Sequence, residues 1–200
     1  MQDKLINELI AQLKYPIDSD SESSSSIPEG IEETYVRFSD ASNGGYTNDR
    51  YIHVFGRSGP TGHNVFGWND PDLWKKYYDL DEKIFCFAED LFGNQYCFDL
   101  HERPGTVKML WVDDGDLIFC SPSFEDFIED SVLKDEGSAQ MRDLSRRYFE
   151  ESGVRYEPFH HLSNKHQLLL GVSDTDLGNL ELSKSVVHIG RSTTASYPDP

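Results

Sequence analysis

Ile84-Phe85-Cys86-Phe87-Ala88-Glu89-Asp90 runs through Leu91-Phe92-Gly93-Asn94 into Gln95-Tyr96-Cys97-Phe98-Asp99-Leu100. Two short, aromatic-rich segments separated by Gly-Asn turn chemistry predict a β-hairpin, with strands over 84–88 and 95–100. In the second segment Tyr96, Phe98 and Leu100 alternate with Gln95, Cys97 and Asp99, so one face is buried and the other partly wet. The register stays open between two alternatives. A two-residue turn at Gly93-Asn94 sets Cys97 opposite Asp90, whereas a six-residue loop over 89–94 sets Cys86 opposite Cys97. Two further runs, 106–112 and 117–120, follow. Pro104-Gly105 and Asp113-Asp114-Gly115-Asp116 supply their connections. Links this short join antiparallel neighbours, and the block reads as a meander.

Helical patterns flank it. Leu5, Ile6, Leu9, Ile10 and Leu13 recur at helical spacing, so 3–14 is an amphipathic helix ended by Pro16. Asp18 to Ser26 is acidic, Ser-rich and without apolar residues, the composition of a loop or linker. Ser26 and Glu29 have capping-box spacing with Pro28 in the first turn, which predicts a second helix carrying Tyr35 and Phe38. Asn43-Gly44-Gly45 stops it. Residues 51–55 form a strand, and 56–69, with four glycines, reads as an exposed loop. Asp70-Pro71 opens a short helix to about Tyr78. After the meander, Ser121-Pro122-Ser123 opens a helix burying Phe124, Phe127 and Ile128. Another covers 138–151, with Met141, Leu144 and Tyr148 on one side and Gly153 closing it. Short strands are expected at 154–159, 166–172, 177–182 and 185–190. Helices, then a meander, then helices is an α+β order.

Two hundred residues suffice for one domain with its own core. The expected division is a core over 1–136, comprising the amphipathic helix, the acidic loop and the sheet, and a C-terminal extension over 137–200 packed on the same domain. Charge divides the same way. Residues 1–136 hold 28 acidic and 11 basic side chains, and 137–200 hold 8 and 7. A field of this sign repels phosphate backbones and anionic headgroups and attracts basic proteins. Neither nucleic acid nor membrane is therefore an expected partner. No apolar run is long enough to span a bilayer, and Asp3 and Glu8 interrupt any signal-peptide core. The three cysteines, Cys86, Cys97 and Cys120, form no CxxC pair. A reducing, cytoplasmic location is expected.

No constellation calls for catalysis or a cofactor. His160, His161 and His166 cluster, but structural zinc wants four ligands in two close pairs. Asp174-Thr175-Asp176-Leu177-Gly178 and the acidic turn at 113–116 lack the glycine and glutamate positions of an EF-hand. Gly56-Arg57-Ser58-Gly59-Pro60-Thr61-Gly62 lacks the Lys-Ser/Thr of a P-loop. Cys97, amid Asp90, Asp99 and Glu102, sits in the wrong field for a thiolate nucleophile.

Several stretches in order resemble the SUKH superfamily. They are Ile27-Pro28 with Tyr35, Phe38 and Asn43-Gly44-Gly45; Ile84 to Asp90 through Phe92-Gly93-Asn94 into Tyr96 to Leu100; and Val107, the acidic turn, and Ser123-Phe124-Glu125-Asp126-Phe127-Ile128. The resemblance implies an α+β domain with a central antiparallel sheet flanked by helices and no common catalytic residues. Its best-known bacterial members are cytosolic immunity proteins encoded beside secreted polymorphic toxins, and others are adaptors and regulators. It implies here an immunity protein that binds and neutralises a toxin, one that is basic if it acts on nucleic acid.

For such a binder, aromatic anchors in a desolvated centre within a charged rim are expected. The candidates are Trp68 and Trp74 as anchors and Asp70, Asp72, Asp113, Asp114 and Asp116 as steering charges. Core packing competes with the anchor role and is favoured for Trp74 and Trp111. Trp68, flanked by Gly67 and Asn69, is open to either.

Overall fold

The structure is a computed structural model that describes residues 2–14, 26–59, 64–112, 114–134, 139–152, 160–164 and 180–184. Seven strands run in sequence order as one antiparallel sheet: β1 (Leu13–Lys14), β2 (Gly45–Thr47), β3 (Ile52–Val54), β4 (Ile84–Asp90), β5 (Gln95–Asp99), β6 (Val107–Leu110) and β7 (Leu117–Ser121). The expected α+β meander is thus present, extended by three short strands on the β4 side. An eighth and ninth strand, β8 (His160–Asn164) and β9 (Leu180–Lys184), pair separately. Of the strands expected beyond residue 153, those at 154–159, 166–172 and 185–190 lie outside the described residues, as does Gly153.

Helix α1 (Gln2–Gln12) buries Ile6 and Leu9. It stops two residues short of the expected end because Leu13 and Lys14 pair with Thr47 and Tyr46. Helix α2 (Glu33–Ala41) begins seven residues later than the Ser26 signal suggests. Gly30, at φ +93°, reverses the chain after Pro28, a conformation no right-handed helix contains. Pro28 therefore belongs to a turn, with Ile31 N–H donating to Pro28 O.

Asn43-Gly44-Gly45 does more than end α2. Gly44, at φ +72°, passes so close to the 54–56 backbone that a Cβ would sit 2.7 Å from Gly56 N and 2.8 Å from Phe55 C. That approach lets β2 start at Gly45 and pair Gly45 with Val54.

The segment expected to be an exposed glycine loop is partly a lid on the sheet. Helix α3 (Val65–Trp68) is capped by Asn64, whose side chain accepts from Gly67 N–H at 2.7 Å. The expected helix after Asp70-Pro71 is a run of turns ending in one 3-10 turn at Lys75–Tyr77.

Both register alternatives for the hairpin miss one feature. A three-residue loop, 91–93, is closed by Asp90 N–H to Asn94 O and Gly93 N–H to Asp90 O. Ala88 faces Tyr96, and then a bulge at Phe87 sets Cys86 opposite Cys97. Past the end of β3 the Asn69 side chain takes up the β4 backbone. Its Oδ1 accepts from Cys86 N–H at 2.8 Å and its Nδ2 donates to Cys86 O at 2.6 Å. The Cys86 backbone is thus satisfied by side-chain amide chemistry, as buried backbone requires.

Two layers cover the sheet. On one side Tyr35 and Phe38 of α2 meet Phe124 and Phe127, the start of α4, which opens at Phe124–Asp126 and continues as a π-helix over Phe127–Lys134. Their rings pack against Phe87 and Phe98, with Tyr35 and Phe124 edge-on at 5.2 Å. On the other side lie Trp68, Trp74 and Lys75, all fully buried. Helix α5 (Ala139–Ser152) adds buried Leu144 and Phe149, with Met141 and Tyr148 packed alongside as the spacing predicts.

Candidate protein-interaction surface

Both tryptophans offered as anchors lie in the core, the placement favoured for Trp74 and one of the two open to Trp68. Trp68 Nε1–H donates to Gln95 Oε1 at 2.7 Å, and Trp74 Nε1–H donates to Trp68 O at 2.9 Å. Gln95 in turn donates from Nε2 to Glu89 Oε2 at 3.2 Å, and Glu89 Oε1 lies 3.0 Å from His53 Nδ1. Tyr46 stacks on His53 with ring centroids 4.2 Å apart, its hydroxyl pKa pushed well up by burial and by the Glu89 charge. Each indole has thus found a hydrogen-bond partner inside, which removes its reason to stay at the surface.

Trp111, expected in the core, is 40% exposed. It stands at the end of β6, where the chain enters the acidic turn. That turn is firmly built: Trp111 N–H donates to Asp116 O and Gly115 N–H to Trp111 O, both at 2.8 Å, while Asp116 N–H donates to Asp114 Oδ1 at 2.9 Å. Gly115 takes φ +81° with the Tyr78 ring against it, and the Tyr78 hydroxyl donates to Val112 O at 2.8 Å. Asp114 and Asp116 are displayed to solvent by this frame, and Asp113 lies outside the described residues.

Beyond the turn is β7, the last strand of the sheet. Ile118 is 40% exposed and Phe119 65%, so together with Trp111 they are the large apolar side chains exposed among the described residues. Ile118 faces Met109 and Phe119 faces Lys108 across the ladder, so the two project from opposite faces of the sheet. Lys108 is held by Asp99 at 2.9 Å and Glu102 at 2.6 Å. The sequence carries the signal for this site: Leu117-Ile118-Phe119-Cys120 does not alternate, and the last strand of a meander is an edge.

Asp70 and Asp72 are also exposed, with Asp70 Oδ1 accepting from Asp72 N–H at 2.9 Å. The expected anchors and charges therefore part company. Asp70, Asp72, Asp114 and Asp116 reach the surface, the two tryptophans do not, and the exposed apolar side chains near Asp114 and Asp116 are Trp111, Ile118 and Phe119.

Chemistry elsewhere is muted. Burial first, then the hydrogen bond with Cys86, push the Cys97 thiol pKa well up, the opposite of a poised nucleophile. Burial raises Cys120 as well. No group of three or more His, Cys, Asp or Glu side chains is placed to hold a metal among the described residues. His160 and His161 fall in β8, opposite Lys184 and Ser183, and His166 lies outside the described residues. A shallow groove of about 410 Å³ between α1 and α2 is lined by Asp3, Arg37 and Asp40, but Arg37 pairs with Asp3 and Asp40 with Arg57. No helix among the described residues is long and apolar enough to cross a membrane.

The family model described as SUKH_6: SMI1-KNR4 cell-wall matches residues 27–128, the stretch from the Pro28 turn to the start of the π-helix. Among solved structures, Atu4351 from Agrobacterium tumefaciens is similar with a TM-score of 0.48 and 10% identity, over 89% of this chain and 85% of that one. No curated protein sequence matches.

Proposed function

The chain belongs to the SUKH superfamily, in the family described as SMI1-KNR4 cell-wall, and on that premise we propose that it is an immunity protein that neutralises a toxin by binding it. The observation that carries this reading is the surface around the β6–β7 turn. Exposed Trp111, Ile118 and Phe119 adjoin exposed Asp114 and Asp116 on a chain with a formal charge of −18. Apolar anchors of this kind supply affinity once desolvated, and the acids around them steer a basic partner during encounter. The family's generally non-catalytic character and the raised, buried Cys97 thiol support binding over bond-making. The setting in which such a protein works is the cytoplasm, where the buried thiols stay reduced.

The test is association of the purified chain with the toxin domain encoded beside it, at about 50 and about 500 mM salt, since screening shortens steeply over that range. Nanomolar binding with an association rate that falls as salt rises is the expected result. Absence of binding rejects the toxin as partner, and a salt-independent rate rejects steering.

The superfamily resemblance also implies one other reading, a regulatory or adaptor protein of the same fold. The two separate on growth: an immunity protein rescues cells expressing the toxin, and an adaptor leaves them dying.

A further inference from the structure

Natural sheets protect their edges with short strands, charged side chains, proline or a bulge. The β1 edge follows this rule, being two residues long and ending in Lys14. The β7 edge carries a bulge at Cys120, between the Lys108–Phe119 and Val107–Ser121 pairs, but none of the other devices. Leu117-Ile118-Phe119-Cys120-Ser121 contains no charge and no proline, and no described strand pairs with its outer side. Its exposed apolar groups stand on both faces, Ile118 beside Met109 and Phe119 beside Lys108. A partner lying on either face of the sheet would cover one and leave the other wet. Only something placed in the plane of the sheet, alongside β7, covers both.

We propose that β7 is a strand-addition site that takes an extended, lysine- or arginine-bearing segment of a partner protein as an eighth strand of the meander. The proposal rests on the binding function above and specifies its surface and mode. Backbone pairing with the outward groups of β7 supplies affinity, and the side chains next to Ile118 and Phe119 supply specificity. The occupant is basic because the strand is entered from the turn that displays Asp114 and Asp116 and belongs to the acidic part of the chain. The same charge opposes the obvious alternative, a second copy pairing edge to edge, which would bring two acidic turns and two strongly negative domains together.

The experiment uses the full chain and three synthetic peptides of about nine residues, enough to run the length of β7. One alternates lysine with valine and isoleucine, one carries glutamate for lysine, and one carries a central proline. Roughly half the β7 amides point away from β6, so hydrogen exchange reads the edge directly. The basic peptide is expected to bind and to slow exchange over 117–121. The glutamate and proline peptides are expected not to bind. Ile118→Lys and Phe119→Lys, on opposite faces, are each expected to weaken binding about tenfold or more, as edge lysines do in natural sheets, with the fold unchanged by circular dichroism. Should either variant disturb the fold, the exchange footprint on the unmodified chain decides alone.

Four results would overturn strand addition. They are no binding by the basic peptide, binding without a footprint on 117–121, loss of binding in only one of the two variants, and outward β7 amides already protected in the free chain. The last would mean another segment or a second copy fills the edge. None of them depends on whether the chain rescues cells from a toxin, so failure here and failure of the immunity reading are separable.

Discussion

Arg142 of α5 reaches Asp49 in the β2–β3 turn across 93 residues of sequence, Nη1 to Oδ2 at 2.6 Å. Its other nitrogen, Nη2, donates to Ser131 O at 2.6 Å, and Ser145 Oγ donates to Asp49 O at 2.7 Å. One guanidinium thus ties α5, the π-helix and the sheet together. Burial pushes the Asp49 carboxyl pKa up, but hydrogen bonds from Thr47, Tyr51 N–H and Arg142 outweigh it and hold the group below the usual carboxylate value of 3.8.

Asp49→Asn should cost about 1–3 kcal/mol at neutral pH, the range for removing a charge-assisted bond from a part-buried site. The sign of the pH dependence follows from linkage. A carboxyl held low binds fewer protons folded than unfolded, so its stabilisation is complete above the unfolded value and is lost as pH falls through the lowered one. Denaturation curves of wild type and variant should therefore differ at neutral pH and converge in the acid range below 3.8. Curves that stay parallel into that range would rule Asp49 out as the source.

Gln95→Leu interrupts the chain running from Trp74 through Trp68, Gln95 and Glu89 to His53. It leaves Trp68 Nε1–H without its acceptor in a fully buried site. A loss of about 2–4 kcal/mol is expected, since an unmet buried donor and a disturbed buried carboxylate both contribute. Urea titration checks it.

Gly44→Ala tests the close approach of the 43–45 bend to β3. The residue has positive φ, and its new Cβ would meet backbone atoms of Val54, Phe55 and Gly56, none of which can swing away. A destabilisation of about 3 kcal/mol or more is expected, combining left-handed strain with a forced backbone shift. Gly30→Ala, with positive φ but nothing nearer than 4.0 Å, should cost only about 1 kcal/mol, since strain acts there without a clash.

The tryptophans separate fold from function. Trp68→Ala should lower stability by about 3–5 kcal/mol, the usual cost of emptying a buried aromatic site. Trp111→Ala should leave the melting temperature within a few degrees, as surface substitutions do, and weaken partner binding instead.

These contrasts also show where sequence reading succeeds. Short turns force antiparallel neighbours, so the meander is legible, but the face of β5 expected to be partly wet is not: Gln95, Cys97 and Asp99 are buried like Tyr96 and Phe98, because Trp68 covers that side. Asn43-Gly44-Gly45 is legible as a helix end but not as a strand start, because the approach of Val54 and Gly56 is a long-range fact. Pro28 and Ser26 mimic a helix start locally, and only the conformation of Gly30 decides otherwise. The Cys86–Cys97 register depended on a bulge, which shifts pairing by one residue without altering composition. At the surface, charge is readable from composition, so Asp70, Asp72, Asp114 and Asp116 are found exposed. Burial of an aromatic depends on partners far along the chain. Gln95 draws Trp68 inward, whereas Trp111, whose backbone closes the acidic turn, stays partly out.

The most direct measurement is co-expression of the chain with the toxin domain encoded next to it, following growth and the recovery of a complex in the soluble fraction. Restored growth with a stoichiometric complex is expected, and renewed killing when Phe119→Lys replaces the wild type at equal soluble level. Continued killing by the toxin while both wild-type proteins are soluble, or rescue without any complex, would contradict it.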